Sequence, residues 1–369
     1  MSLIQRLISN LGTEENYALI QKIHGHFYYA KKINLINQAI ETDIEAEKLM
    51  MLTLPTRLKK EGYECFIGDL IQVNPQNQTI TEIIPRLSLM PRPKVANIDQ
   101  ALIIISVCEP APEPEYLDRL LTHASLTLPD KPIICLTKVD LQKPAPEFIN
   151  LYKSLGYKII ELSYLQPESL EELKTYLFNK VSVLAGQSGV GKSSLLTNLF
   201  PERAFKVGDV SKKSQKGTHT TRHTEMFEGR SGKNIFYILD TPGFSRLDAQ
   251  VNLTEINSAK AFPEIAQSQE KCYFEDCKHL EENGCKINFS ESRKASYQKL
   301  AQESIERESE QLESRKVKDA EDSTKKSSSV NINIPKLKSS DRSISRKKQK
   351  QSFNLNTEDS LNETENSEE

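Results

Sequence analysis

What this chain lacks limits it before any motif is read. No apolar run approaches the roughly 18 residues that a membrane-crossing helix needs. The opening stretch, MSLIQRLISNLGTEEN, has no signal-peptide core and meets acids early, so neither a secretory leader nor an Arg/Ser-rich transit peptide is expected. The six cysteines form no disulfide framework, because Cys65, Cys108 and Cys135 stand alone, and this pattern fits a reducing cytoplasm. Charge of either sign is barely in excess: 49 Lys+Arg stand against 51 Asp+Glu, a formal net charge of -2. Global charge therefore gives no pointer to nucleic acid, and only local patches can. Apolar residues make up 37%, low for a globular chain, so part of the 369 residues is expected to stay unfolded. The length still allows two or three domains, each with its own core.

Four regions separate by composition. Residues 1–95 carry short strand-like runs at 26–33, 49–54, 64–73 and 79–84, broken by Gly and by Asn/Pro clusters, which predicts a small antiparallel β-barrel. Over 96–250 the runs ALIIISV (101–107), PIICLT (132–137), YKIIELS (157–163), VSVLAG (181–186) and IFYILD (235–240) are nearly continuous in apolar residues, with helix-like segments between most of them. That is the pattern of parallel strands covered on both faces. Residues 251–302 form a small polar region with a Cys/His cluster. Residues 303–369 are charged and are expected to be mostly disordered, although ESIERESEQLESRKVKDAE at their start suits a polar helix. Within this tail, 336–350 hold seven Lys/Arg and one Asp, whereas 351–369 hold six acids and no base. A solvating tail and a basic arm on RNA both fit that split.

Gly186-Gln187-Ser188-Gly189-Val190-Gly191-Lys192-Ser193 satisfies the phosphate-loop pattern in full, after one predicted strand and before a helix that opens with Ser193 and Ser194. The glycines let backbone N–H groups turn inward around phosphates, and the helix adds its positive N-terminus. Lys192 is expected to reach the β/γ-phosphates and the Ser193 hydroxyl to ligate Mg²⁺. Asp240-Thr241-Pro242-Gly243 closes a later strand; there Asp240 suits the Mg²⁺ shell and the Gly243 N–H the γ-phosphate. Between them GTHTTRH (217–223) reads as a switch loop, with Thr221 the first choice and Thr220 the second for completing Mg²⁺ coordination.

Thr137-Lys138-Val139-Asp140 sits at the end of a strand, where a base-reading loop belongs. The Asp140 carboxylate can accept from guanine N1–H and the N2 amine, which adenine does not offer, and the Lys138 stem can lie along the base. Leu162-Ser163 closes the next strand, where a second base-side loop is expected. In most phosphate-loop GTPases the phosphate loop precedes these pieces; here it follows them. Read cyclically, the order is phosphate loop, switch, DTPG, TKVD and base-side loop, so the domain is expected to be circularly permuted, cut after DTPG.

The order TKVD, GQSGVGKSS, GTHTTRH, DTPGF, preceded by RPKVANIDQALII (92–104), resembles the RsgA/YjeQ family of small-subunit-dependent ribosomal GTPases, as does FIGDLIQV (66–73). The likeness spans about 20–300 and excludes the charged tail. It implies an N-terminal OB-fold, a permuted α/β GTPase domain and a small, mainly helical zinc domain. It also implies GTP hydrolysis to GDP and phosphate in late maturation of the small ribosomal subunit, with contact to its rRNA, by a cytoplasmic monomer that binds no membrane. Thr137 departs from the Asn that more often opens the guanine motif, which bears on affinity more than on identity. Phe244 stands where many GTPases place a water-orienting Gln, and the resemblance implies that another group supplies that role; His219 is the candidate, with a solvent-facing loop residue as the alternative.

Cys272, Cys277, His279 and Cys285 gather within one short polar segment. Three cysteines and a histidine complete a tetrahedral set for one structural Zn²⁺ with no open position, and the family's zinc spacing matches; free thiols in a loop are the alternative. RNA contact by the barrel is expected through Tyr28, Tyr29, Lys31, Lys32, Arg57, Lys59 and Lys60, each of which also suits an ordinary surface. Lys212, Lys213 and Lys216 are similarly ambiguous. Against the leading reading stand a permuted GTPase acting on the large subunit and a non-enzymatic RNA-binding scaffold; intact Lys192, Ser193 and Asp240 argue against the scaffold. An ATPase would leave Asp140 without a role.

Overall fold

A computed structural model of the chain describes residues 3–9, 11, 16–36, 39–41, 49–90, 94–203, 224–232, 234–241, 253, 258–274 and 277–327. The chain divides into Met1–Arg307 and Glu308–Glu369; the described part of the second is the helical run 308–327.

The helix α1 (Leu3–Ile8) precedes β1 (Tyr17–His24), β2 (Phe27–Ile36), β3 (Ala39–Glu41), β4 (Met50–Thr53), the short helix α2 (Thr56–Lys60), β5 (Leu70–Asn74) and β6 (Thr79–Ile83). Strand β1 pairs antiparallel with both β2 and β5; β5 pairs with β6, β6 with β4 in parallel, and β4 with β2. The ring β1-β2-β4-β6-β5 is thus closed, with β4 and β6 as its parallel seam: the barrel expected from composition and the OB-fold that the resemblance implies. Its filling is aliphatic: Ala18, Ile20, Ala30, Leu52, Leu70 and Ile80 are all fully buried. A two-stranded ladder, β7 (Leu89–Met90) with β8 (Val95–Ala96), leads out of it.

The central sheet contains β9 (Gln100–Ser106), β10 (Ile133–Thr137), β11 (Lys158–Leu162), β12 (Val181–Ala185), β13 (Glu225–Ser231) and β14 (Asn234–Asp240), in the order β11-β10-β9-β12-β14-β13. All neighbours are parallel except β13 with β14. All seven residues of β9 are buried, because helices cover both of its faces. Ala101, Ile103 and Ile105 face α3 (Pro114–Thr127) and α4 (Pro146–Ser154), while Leu102 and Ile104 face α5 (Pro167–Leu177) and α6 (Lys192–Leu199). Helices α3, α4 and α5 each start on proline followed by glutamate. Proline's fixed φ suits the first turn, where its missing N–H costs nothing, and the glutamate meets the positive end of the helix. The chain winds outward from β9 to β11, then returns to β12 on the other side of β9. The carboxyl ends of β9 and β12 therefore flank the topological switch point, where open α/β sheets bind ligands.

Beyond β14 come α7 (Ser258–Ala261), α8 (Pro263–Gln267) and α9 (Glu291–Ser327). The polar helix expected at 303–321 is the middle of α9, which starts twelve residues earlier (303 − 291). A small core of Leu253, Ala261, Phe262, Tyr297, Leu300 and Ala301 joins these helices. Arg293 of α9 is wholly buried: its Nη1 donates to Asp118 of α3 at 2.5 Å, and Nε and Nη2 donate to Glu264 of α8 at 2.6 and 3.0 Å. Its guanidinium also lies 4.4 Å over the Phe262 ring, and Tyr152 of α4 donates to Asp118 at 2.8 Å. One cation thus fastens three helices of two regions.

Candidate functional site

The phosphate-loop expectation meets its geometry. Strand β12 ends at Ala185, the chain turns through Gly186 to Gly191, and α6 starts at Lys192. Gly186 adopts φ 147°, and a Cβ there would lie 2.3 Å from the Ile104 carbonyl oxygen; Gly189 and Gly191 take φ 83° and 99°. Side-chain-bearing residues would not sustain this turn, so glycine leaves the cradle open to a ligand's oxygens. Lys192 folds back over it, Nζ donating to the carbonyls of Gly186 at 2.7 Å and Gln187 at 2.6 Å. Burial lowers its ammonium to about 8, with the Asp240 charge pulling the other way. An underhydrated cation beside the N-terminus of an eight-residue helix is a receptor for a polyphosphate. Ser193 and Ser194 occupy the first turn of α6, half-buried, and Asp240 is buried at the end of β14. A hydroxyl and a carboxylate that share this end of the sheet with the loop are hard oxygen donors that suit Mg²⁺.

The base-side pieces close over the same end of the sheet. Thr137 ends β10 fully buried, its Oγ1 2.5 Å from the Val190 carbonyl oxygen and 3.2 Å from that of Ile105. The hydroxyl is thus committed to the backbone of the phosphate loop. Lys138 sits in the left-handed region (φ 62°) and donates to the Glu109 carbonyl, while Asp140 is exposed in the following turn. Ser163 is buried after β11, its Oγ accepting from the Leu165 N–H at 3.3 Å and its carbonyl from Ser169 Oγ at 3.0 Å. Sequence reading passed over Tyr164, whose hydroxyl donates to the Gly191 carbonyl at 3.0 Å. No motif marks it; only its position beside Ser163 could have drawn attention. His219, Thr220, Thr221, Gly243, Phe244, Lys212, Lys213 and Lys216 lie outside the described residues.

On the barrel, two of the expected RNA-contact residues are otherwise employed. Lys31 is half-buried in an ion pair with Glu228 of β13 at 3.0 Å, and Tyr28 is buried in the barrel wall. Lys32, Arg57, Lys59 and Lys60 are exposed, Arg57 pairing with Glu61 at 3.1 Å, and Tyr29 is half-exposed.

Cys272, Cys277, His279 and Cys285 bring their ligand atoms within 4.8 Å of one another. Cys272 Sγ lies 3.5 Å from His279 Nδ1 and 4.0 Å from Cys285 Sγ, and Cys285 Sγ lies 3.7 Å from His279 Nδ1. A tetrahedral zinc with ordinary bond lengths would separate two sulfurs by about 3.8 Å and a sulfur from a nitrogen by about 3.6 Å. The donor set and its spacing therefore fit the ion. The turns that build it are strained without glycine: Gly284 has φ 89°, and a Cβ there would lie 2.6 Å from Tyr273 Cβ. Burial lowers the His279 imidazolium below its ordinary value, favouring the neutral ring that binds metal. Glu282 accepts from the Lys278 and Leu280 N–H groups at 2.9 and 2.7 Å and orients the knuckle. Tyr297 of α9 donates to the Lys278 carbonyl at 2.7 Å, tying the knuckle to the helical core.

The RsgA GTPase family profile matches residues 83–250. A protein of Caldanaerobacter subterraneus subsp. tengcongensis is 36% identical over 236 residues, 63% of this chain and 78% of the relative. One of Bacillus cereus is 37% identical over 267 residues, 68% of this chain and 88% of the relative. Both are named small ribosomal subunit biogenesis GTPase RsgA. Among solved structures, YjeQ from Thermotoga maritima superposes with a TM-score of 0.59 at 24% identity, covering 79% of this chain and 99% of that one. YloQ, a circularly permuted GTPase, gives 0.60 at 25%, covering 80% and 97%.

Proposed function

The chain belongs to the RsgA GTPase family, and from that premise we infer a GTPase of small ribosomal subunit biogenesis that cleaves GTP to GDP and phosphate. The observation that carries the residue assignment is the sheet order β11-β10-β9-β12-β14, which brings three segments distant in sequence to one end of the sheet: TKVD, the base-side loop and the phosphate loop. Lys192 and the N–H groups of Gly186 to Ser194 hold the phosphates, and Asp140 reads guanine through its N1–H and N2 amine. Thr137 braces the phosphate loop, Lys138 flanks the base and Ser163 shapes the second base-side loop. Ser193, Asp240 and Thr221 would hold Mg²⁺, which when bound neutralises charge developing on the phosphates. On the motifs alone, Gly243 is assigned to the γ-phosphate and His219 to the attacking water. The zinc cluster is structural: its four protein donors leave no open position for chemistry.

The permuted order puts the helical region directly after the nucleotide motifs in the chain. Leu253 is tied to that region, its N–H donating to Ser304 Oγ of α9 at 3.0 Å. The reading places the protein on the small subunit and its rRNA late in maturation, as a cytoplasmic monomer, with the barrel and the exposed Lys32, Arg57, Lys59 and Lys60 toward RNA. The relatives' names favour neither the large-subunit nor the scaffold alternative. The test is GTP turnover, with ATP as control, alone and with purified small or large ribosomal subunits. Stimulation of GTP turnover by small subunits only is expected; equal turnover of ATP, or indifference to either subunit, would refute it.

A further inference from the structure

The phosphate loop is gripped from the base side at two consecutive carbonyls. Thr137 Oγ1 meets the Val190 oxygen at 2.5 Å, and Tyr164 donates to the Gly191 oxygen at 3.0 Å. Gly191 is the N-cap of α6, and its carbonyl also accepts the Leu195 N–H at 2.9 Å, the bond that starts the helix. Tyr164 therefore holds the point where the loop becomes the helix whose N–H groups face an anion. Gly191 itself takes φ 99°, a conformation that favours glycine, and a Cβ there would sit in ordinary contact with the Tyr164 hydroxyl oxygen at 3.4 Å and Thr137 Oγ1 at 3.6 Å. A hydroxyl carries one proton, and that of Thr137 is committed to Val190, so it cannot also hold Gly191. The Tyr164 ring is half-buried and directly follows Ser163 in the second base-side loop, while its hydroxyl reaches the Gly191 carbonyl. It thus spans from the second base-side loop to the phosphate loop.

We propose that Tyr164 is a positioning residue that couples the base-side loops to the phosphate loop and so slows release of guanine nucleotide. The proposal rests on the GTPase reading above. Opening the base side breaks the bond to Gly191 and slackens the start of α6, so a ligand occupying both ends holds the tie closed, whereas a ligand at one end does not.

The test is Tyr164→Phe, which keeps the ring and removes only the hydroxyl. Release of fluorescent N-methylanthraniloyl-GDP, chased with GDP in stopped flow, is expected to quicken about five- to tenfold, the scale of one lost hydrogen bond. Guanosine and pyrophosphate, each filling one end, are expected to compete as they do with the unaltered protein. Unchanged GDP release would overturn the proposal. So would parallel weakening of GDP, guanosine and pyrophosphate, since that is the mark of a merely structural tyrosine. If the unaltered protein held ADP better than GDP, the GTPase reading would fail instead, and the ratio between variant and unaltered protein on ADP would still judge the tie.

Discussion

Arg293→Met should destabilise the 1–307 unit far more than its loss of packing suggests. Methionine fills most of the arginine stem's volume, so the perturbation is chiefly electrostatic. Arg293 makes three charge-assisted hydrogen bonds of 2.5, 2.6 and 3.0 Å, with its side chain 0% exposed and its partners Asp118 and Glu264 at 0% and 7%. Removing one partner of such a cluster leaves buried charge without compensation, at a cost of about 3–5 kcal/mol. Adding Asp118→Asn and Glu264→Gln should return at least half of the loss, because the burial penalty belongs to the carboxylates rather than to the missing methylenes. The pH dependence has a definite sign. Burial already raises the Asp118 carboxyl, and Arg293 is the foremost opposing influence. Without it the folded value rises further above the unfolded one. An acid raised on folding favours the fold below its unfolded pKa and loses that contribution as pH rises through its folded pKa. The gap between variant and unaltered protein should therefore narrow as pH falls from 7 toward 5. Urea denaturation followed by far-UV circular dichroism at several pH values measures both effects. A loss under about 1 kcal/mol, or a triple variant no more stable than the single one, would refute the reasoning.

Two further outcomes are expected. Burial lowers the Lys192 ammonium to about 8 in the ligand-free loop, whereas bound phosphates favour its charged form, so GDP affinity should be greatest below that value. Above it, affinity should fall by up to about tenfold per pH unit. Lys192→Arg, which stays charged, should flatten the profile, and a flat GDP dissociation constant from pH 7 to 9 in the unaltered protein would contradict this. For the zinc cluster, Cys285→Ser should abolish stoichiometric zinc measured by elemental analysis and open the 268–287 knuckle to protease. Undiminished zinc binding would show that Cys285 is not a ligand.

Some of this molecule could be read from the chain because the information is local. A phosphate loop is a backbone shape, and GQSGVGKSS encodes it through glycines that permit φ 147°, 83° and 99° within one turn. The Cys/His cluster was legible because its four side chains lie within fourteen residues (272 to 285), and short chain closure needs no distant partner. The permutation was legible because buried parallel strands announce themselves as apolar runs, and their cyclic order survives a moved chain break.

What tertiary structure alone decided involves groups that meet across long sequence separations. Lys31 has the look of an RNA contact until Glu228, 197 residues away, claims it. Arg293 reads as one more charge in a polar helix until Asp118, 175 residues distant, is found beside it in the core. Thr137 looked like a weak guanine reader, and its hydroxyl turned out to brace Val190, while unmarked Tyr164 holds Gly191. A side chain's local sequence states which bonds it can make, but which partner takes them depends on what the packed sheet brings within about 3 Å, and hydrogen-bond range is too short to leave a trace in sequence spacing.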